Sequence, residues 1–192
     1  MDNFFILASS SERRKSLMRQ MGLRFKSVAP SVVENIYRSP KATVILNAEQ
    51  KALDVQKKYP ESLILGVDTV VVWKGKILGK PKNFHEAQSM LLKFRNTSHF
   101  VYSGLVLVYK KQIIKNWCRT KVFFDNISEA DIEKYIKLYK PFDKAGGYGI
   151  QESAAFFIKK IEGDYYNVVG LPLNLLFKSV KKLHLPYDIF SF

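Results

Sequence analysis

An acid stands at the centre of the most apolar stretch of this chain, Leu63 to Trp73, in the run Gly66-Val67-Asp68-Thr69-Val70. A buried carboxylate costs roughly several kcal/mol unless it is paired or binds a metal. An acid at this position therefore points to a metal ligand or a general base. The alternative is that the strand ends at Val67 and Asp68 caps a turn. Val70-Val71-Val72 continues the β-rich run and favours the functional reading. Read as an uncompensated buried charge, Asp68 is expected to leave the fold as stable or more stable when changed to Asn.

Other segments could handle phosphate. Leu7-Ala8-Ser9-Ser10-Ser11-Glu12-Arg13-Arg14 runs from a strand into a helix. A helix N-terminus offers free N–H groups and a positive dipole end. The serine hydroxyls add donors, and Arg14 can grip a phosphate in bidentate fashion. A plain serine cap beside two solvated arginines is the commoner meaning of such a run. Gly79-Lys80-Pro81 offers a lysine as a point charge, and Lys51 and Glu34 are weaker candidates, for a cation and a carboxylate respectively. Asp143-Lys144-Ala145-Gly146-Gly147-Tyr148-Gly149-Ile150-Gln151 has three glycines in four residues, which permit close backbone approach. Gln151 can read a base edge with one donor group and one acceptor. A flexible loop is the alternative there, but the interleaved Tyr and Gln favour an ordered one.

These residues must be positioned by a mixed set of elements. Asn3 to Leu7 reads as a strand, and Ser9-Ser10-Ser11 as the cap of a helix that turns Leu17, Met18 and Met21 inward and ends at Gly22. Arg24 to Val28 reads as a strand. Val44, Ile45, Ala48, Ala52 and Val55 recur at helical spacing from Lys41 to Tyr59, and Pro60 stops that helix. Leu63 to Trp73 reads as a strand buried on both faces. Lys74-Gly75 turns the chain into Lys76 to Leu78. Asn83 to Phe94 is a helix with Ala87, Met90, Leu91 and Phe94 inward. Phe100 to Tyr109 and Ile113 to Phe124 form a hairpin. Ser128 caps a helix through Leu138 with Asp131 in the capping-box position. A strand near Phe156 to Ile161, a turn at Asn167 to Pro172 and a final helix complete an α/β fold that is not purely βαβ. Residues 1–192 read as one domain.

Composition narrows the function. The excess of 31 Lys and Arg over 17 Asp and Glu gives +14 and favours anionic partners. The lysines fall in scattered pairs, so no specific nucleic-acid footprint is expected. The rival reading is a basic nucleic-acid- or partner-binding protein that affects cell division without catalysis. His85, His99 and His184 lack metal spacing, which argues against zinc. With Cys118 alone, no secretory signal and no apolar run long enough to span a bilayer, a cytoplasmic protein without membrane contact is expected.

Taken in order, these motifs resemble the Maf-like nucleoside triphosphate pyrophosphatase family. The match runs from Leu7 to Pro172. It is carried by Leu-Ala-Ser-x-Ser-x-Arg-Arg at 7–14, Gly-x-Asp-Thr-Val-Val at 66–71 and Gly-Lys-Pro at 79–81. It is extended by Glu86-Ala87 with Met90-Leu91, Asp143-Lys144-Ala145-Gly146, Tyr148-Gly149-Ile150-Gln151 and Val169-Gly170-Leu171-Pro172. The resemblance implies an elongated mixed sheet with flanking helices and two lobes around a cleft, similar to inosine triphosphate pyrophosphatases. It implies a divalent cation, Mg2+ or Mn2+, a homodimer, and cleavage of a nucleoside triphosphate to monophosphate and pyrophosphate. It assigns Asp68 as general base, Lys51 and Lys80 as catalytic helpers, and Asp68 with Glu34 as metal ligands. Ser9, Ser11, Arg13 and Arg14 are implied at the substrate. Arg14, Thr69 and Gln151 together match the branch that prefers dTTP and UTP. Two positions depart from the pattern: Glu12 replaces the usual Pro, and Asn35 follows Glu34 where members often carry a second acid.

Overall fold

Three parallel strands and one long helix make the frame that holds Asp68. The computed structural model describes residues 5–186 and 188–190. The elements in chain order are β1 (Phe5–Ala8), α1 (Glu12–Gln20), β2 (Lys26–Val28), α2 (Pro40–Gln56), β3 (Leu63–Trp73), β4 (Lys76–Leu78) and α3 (Phe84–Phe94). They continue with β5 (Ser98–Tyr109), β6 (Gln112–Phe124), α4 (Glu129–Tyr139), β7 (Ile158–Glu162), α5 (Tyr165–Val169) and α6 (Leu173–Val180). Seven strands form a mixed sheet in the order β2-β1-β3-β5-β6-β7, with β4 paired to β3. β1 runs parallel to β2 and β3, while β4 on β3 and β7 on β6 are antiparallel. The α/β class with one long hairpin is what the sequence predicts. The Asn3 start expected for the first strand lies outside the described residues.

The chain divides into two compact units. The first takes the described residues up to Asp68, then Ser103–Cys118 and the described residues from Gly170; the second takes Thr69–Tyr102 and Arg119–Val169. In the first, Ile6, Ala8, Ala48, Ala52, Val55, Ile64, Val106 and Val108 form one core cluster. Two glycines let α2 lie unusually close to the sheet. A Cβ on Gly66 would stand 2.0 Å from the Ala48 carbonyl oxygen, and one on Gly104 would stand 2.2 Å from that of Val44. Neither contact is possible for a real side chain, so glycine at both points is a packing requirement.

In the second unit β4 follows β3 through Lys74 and Gly75, both at positive φ. α3 packs against α4, and Gln88 donates to Glu133 across that contact. Asn83 and Ser128 cap these helices, accepting from the backbone N–H of Glu86 and Asp131 respectively.

Some expected details change. Helix α1 stops at Gln20 with Met21 as its C-cap, so the Met21 side chain leaves the buried face and is exposed. Ile45 and Met90 sit beside the buried stripes of α2 and α3 and are only half-buried. The first part of the turn expected at Asn167 to Pro172 is instead helical, since the short helix α5 runs to Val169. Asp164 Oδ1 accepts from the N–H groups of Tyr166 and Asn167 at its start.

Candidate active site

The register of β1 against β3 pairs Ala8 with Gly66, so the chain leaving β1 at Ser9 does so beside Val67 and Asp68. Asp68 is 3% exposed and lies inside β3, which continues to Trp73, so the turn-cap alternative fails. Its charge is not uncompensated. Lys51 Nζ donates to Oδ1 at 2.7 Å, and Asn47 Nδ2 donates to Oδ2 at 3.1 Å. Both partners come from α2, one turn apart, and both are buried. Lys51 is thus far better placed than its sequence position suggests, because the close seat of α2 on Gly66 brings it over the strand.

Lys51 also meets Glu34. Its ammonium lies 2.7 Å from Glu34 Oε1, so two carboxylates converge on one cation, with Asp68 buried and Glu34 half-exposed. Glu34 sits on an irregular segment that α2 laces down with side chains. Asn35 N–H donates to Asn47 Oδ1, Asn47 Nδ2 donates to Asn35 O, and Tyr37 N–H donates to Thr43 Oγ1. Asn47 was not legible as a site residue. The signal was there in Thr43, Asn47 and Lys51, a polar row at i, i+4 and i+8 along the buried face of α2.

Ser9, Ser11 and Arg14 form an adjoining cluster. Ser11 occupies the N-cap position of α1, but its side chain makes no cap hydrogen bond. The serine run therefore does not cap the first helical N–H groups as expected; Ser9 Oγ accepts from Ser11 N–H at 3.2 Å and from Arg14 Nη1 at 3.1 Å. Arg14 Nη1 also reaches Val67 O, and Nε reaches Gly170 O at 2.9 Å. Loss of hydration lowers the Arg14 pKa to about 10, while Asp68 opposes that shift and Arg13 adds to it. Arg13 is half-buried.

Thr69, Lys80 and Gln151 belong to the second unit, where Thr69 is half-buried and the other two are exposed. The loop carrying Gln151 is tied to its surroundings by several contacts. Buried Lys144 pairs with Asp143 and Glu152 at 2.8 and 3.2 Å. Gly146, at φ 75°, donates to Gly79 O beside Lys80, and Gly149 N–H donates to the Tyr135 hydroxyl. The Tyr148 hydroxyl lies 2.7 Å from His99 Nε2. His99 packs among Phe94, Phe124 and Tyr148, and burial lowers its pKa to about 3.

Among the described residues no group of three His, Cys, Asp or Glu side chains converges as a metal cluster. The pair Asp68 and Glu34 still fits a hard cation, because Mg2+ is usually held by one or two carboxylates with substrate phosphates and waters completing its shell.

The family model for Maf-like proteins matches residues 4–183. The chain belongs to the Maf-like family. A protein of a Geobacillus species named dTTP/UTP pyrophosphatase is 46% identical to this Maf-like chain over 180 residues, 93% of this chain and 97% of the relative. One of the same name from Bacillus cytotoxicus is 43% identical, covering 93% and 94%. Another, from Dictyoglomus thermophilum, is 46% identical over 88% of this chain and 90% of its own. The family match and these likenesses thus run along almost the whole chain. No helix among the described residues is long and apolar enough to cross a membrane.

Proposed function

We propose that this protein hydrolyses dTTP, UTP or a related pyrimidine nucleoside triphosphate between the α and β phosphates, releasing the monophosphate and pyrophosphate. The observation that carries the mechanism is the buried Asp68, whose two oxygens are each held by a donor from α2. A carboxylate has about four lone-pair sites, so one hydrogen bond on each oxygen leaves room to accept a proton. In this reading Asp68 takes the proton of a water whose oxygen bonds to the α-phosphorus. The bond from that phosphorus to the α,β-bridging oxygen breaks, and pyrophosphate leaves.

The remaining residues bind and orient. Lys51 holds Asp68 in place and keeps Glu34 beside it. The first turn of α1, left without a side-chain cap by Ser11, offers N–H groups to an anion. Ser9 and Gly170 fix the Arg14 guanidinium as a set positive charge at that turn, with Arg13 next to it. Lys80 adds a point charge toward the phosphates. Thr69 and Gln151 read the base: a Gln amide matches a carbonyl and an N–H on a uracil-type edge, and unpaired buried polar groups penalise other bases. Asp68 and Glu34 would hold the divalent cation, Mg2+ or Mn2+, which when bound neutralises triphosphate charge. A cytoplasmic homodimer completes the reading.

The test is a substrate panel with product analysis in Mg2+ and in Mn2+. Monophosphate plus pyrophosphate from dTTP and UTP is the expected result. Nucleoside diphosphate plus orthophosphate would refute the reaction, and turnover of 7-methyl-GTP equal to or above that of dTTP would refute the pyrimidine preference. Tight, specific oligonucleotide binding at physiological salt without any hydrolysis would favour the non-catalytic rival.

A further inference from the structure

We infer that Asn47 is a positioning residue which fixes, through one amide, both the Asp68 carboxylate and the segment that carries Glu34. The inference rests on the proposed hydrolysis. Asn47 is 3% exposed, and its amide makes three hydrogen bonds to protein groups. Oδ1 accepts from Asn35 N–H at 3.0 Å, while Nδ2 donates to Asn35 O at 3.1 Å and to Asp68 Oδ2 at 3.1 Å. The orientation of the amide is determined by these partners. A backbone N–H can only donate and a carbonyl can only accept, so a flipped amide would lose both bonds to Asn35.

The pair of bonds to Asn35 imitates one bridge of a β-ladder on a segment that has no strand of its own. That matters because Glu34 is the neighbouring residue, and its carboxylate meets Lys51 only if this backbone stays in place. The third bond sets the rotation of Asp68. Lys51 holds Oδ1 and Asn47 holds Oδ2, so the plane of the carboxylate is fixed from both sides. An aliphatic residue of similar size in this place would leave Asp68 Oδ2 without that donor and Asn35 without its clamp.

The test uses Asn47→Leu and Asn47→Asp in the full chain, with pyrophosphate release and amide hydrogen exchange measured on each. Asn47→Leu should lower kcat about 10–100-fold, the usual cost of losing a partner that orients a site residue. KM for dTTP should change little, since orientation of the base is felt in the reaction step. Exchange at the amide of Asn35 should rise, while that of Ser31, held independently by Asp54, should stay slow. Asn47→Asp keeps the acceptor for Asn35 but sets a carboxylate against Asp68, so it should lose more activity than Asn47→Leu. Wild-type kcat in Asn47→Leu with faster exchange at Asn35 would show a purely structural clamp and overturn the inference. So would Asn47→Asp matching or exceeding Asn47→Leu. If Asn47→Leu fails to fold, near-wild-type turnover by the isosteric Asn47→Asp overturns it alone. Absence of pyrophosphate release from the wild type would instead remove the reaction on which the inference rests.

Discussion

Arg14 and Lys51 donate to the same backbone carbonyl, that of Val67, at 3.0 and 3.4 Å. The two cations come from different helices, α1 and α2, and meet immediately before Asp68. The carbonyl lets them approach with a shared acceptor between them, and Asp68 offsets their repulsion. Arg14, read from the sequence as a phosphate grip, also has a structural part in the fold. Its Nε and Nη1 groups fasten Ser9, Val67 and Gly170 together, so the side chain acts first as the joint between three segments. A lysine there could not reproduce a fork of bonds in those directions.

The seat of α2 on the sheet predicts a sharp effect at Gly66. A Cβ there would overlap the Ala48 carbonyl at 2.0 Å, and the obstacle is helix backbone that cannot rotate away. Gly66→Ala should therefore push α2 outward and destabilise the fold by about 1–3 kcal/mol or more, the usual cost of overpacking. Because Asn47 and Lys51 ride on α2, turnover per folded molecule should fall as well. Thermal unfolding and kcat on one preparation check both, and an unshifted Tm would contradict the close seating.

Much of this was legible in the sequence, and what escaped did so for physical reasons that differ from residue to residue. Leu63–Trp73 was read with its observed bounds because an unbroken β-branched run has one economical meaning, a strand buried on both faces. Ala48 and Ala52 marked the inner face of α2 by period. Asn47 was lost in that same pattern and Lys51 stood in it only as a weaker candidate, since a hydrophobic stripe by itself does not say which polar neighbours face inward. Their burial depends on Gly66 and Gly104, far away in sequence, and on Asp68 as a partner. The serine run at 9–11 misled for a local reason: Ser11 stands at the N-cap, but its side chain makes no cap hydrogen bond, and Ser9 Oγ is taken up by the Ser11 N–H and by Arg14. His99 carried no motif, and its role as the partner of Tyr148 follows only from packing.

His99 gives a pH prediction. Burial holds its folded pKa near 3 against an ordinary value of 6.5. Between those values the unfolded chain binds a proton that the folded chain does not. The stabilising effect of keeping His99 neutral is therefore complete above about pH 6.5 and is lost as pH falls toward about 3. His99→Phe removes this term and leaves the Tyr148 hydroxyl without the imidazole at every pH, a constant offset. The drop in Tm from about pH 7 to about pH 4.5 should thus be smaller in the variant than in the wild type. An equal drop in both would mean that His99 is protonated in the folded protein.

Asp68 and Lys51 allow activity and stability to be separated. The expectation from sequence that Asp68→Asn would relieve an uncompensated charge does not survive the pairing with Lys51 and Asn47. An asparagine there must direct its NH2 group at the ammonium of Lys51 or at the NH2 of Asn47, donor against donor in either case. Leaving a buried donor unsatisfied costs about 1–3 kcal/mol, so Tm should fall. Turnover should fall by about 10²–10⁴-fold if Asp68 is the general base. Lys51→Met should be the less stable single variant, because it strands the Asp68 carboxylate with Asn47 as its remaining donor from α2; breaking a buried pair costs about 3–5 kcal/mol. The double variant should recover part of that loss without recovering any turnover, since the stranded charge is gone but so is the base. A folded Asp68→Asn protein that keeps more than about a tenth of wild-type kcat excludes Asp68 as the base. A double variant whose loss of stability equals the sum of the two single losses would mean that the two side chains are not energetically coupled, whatever their separation.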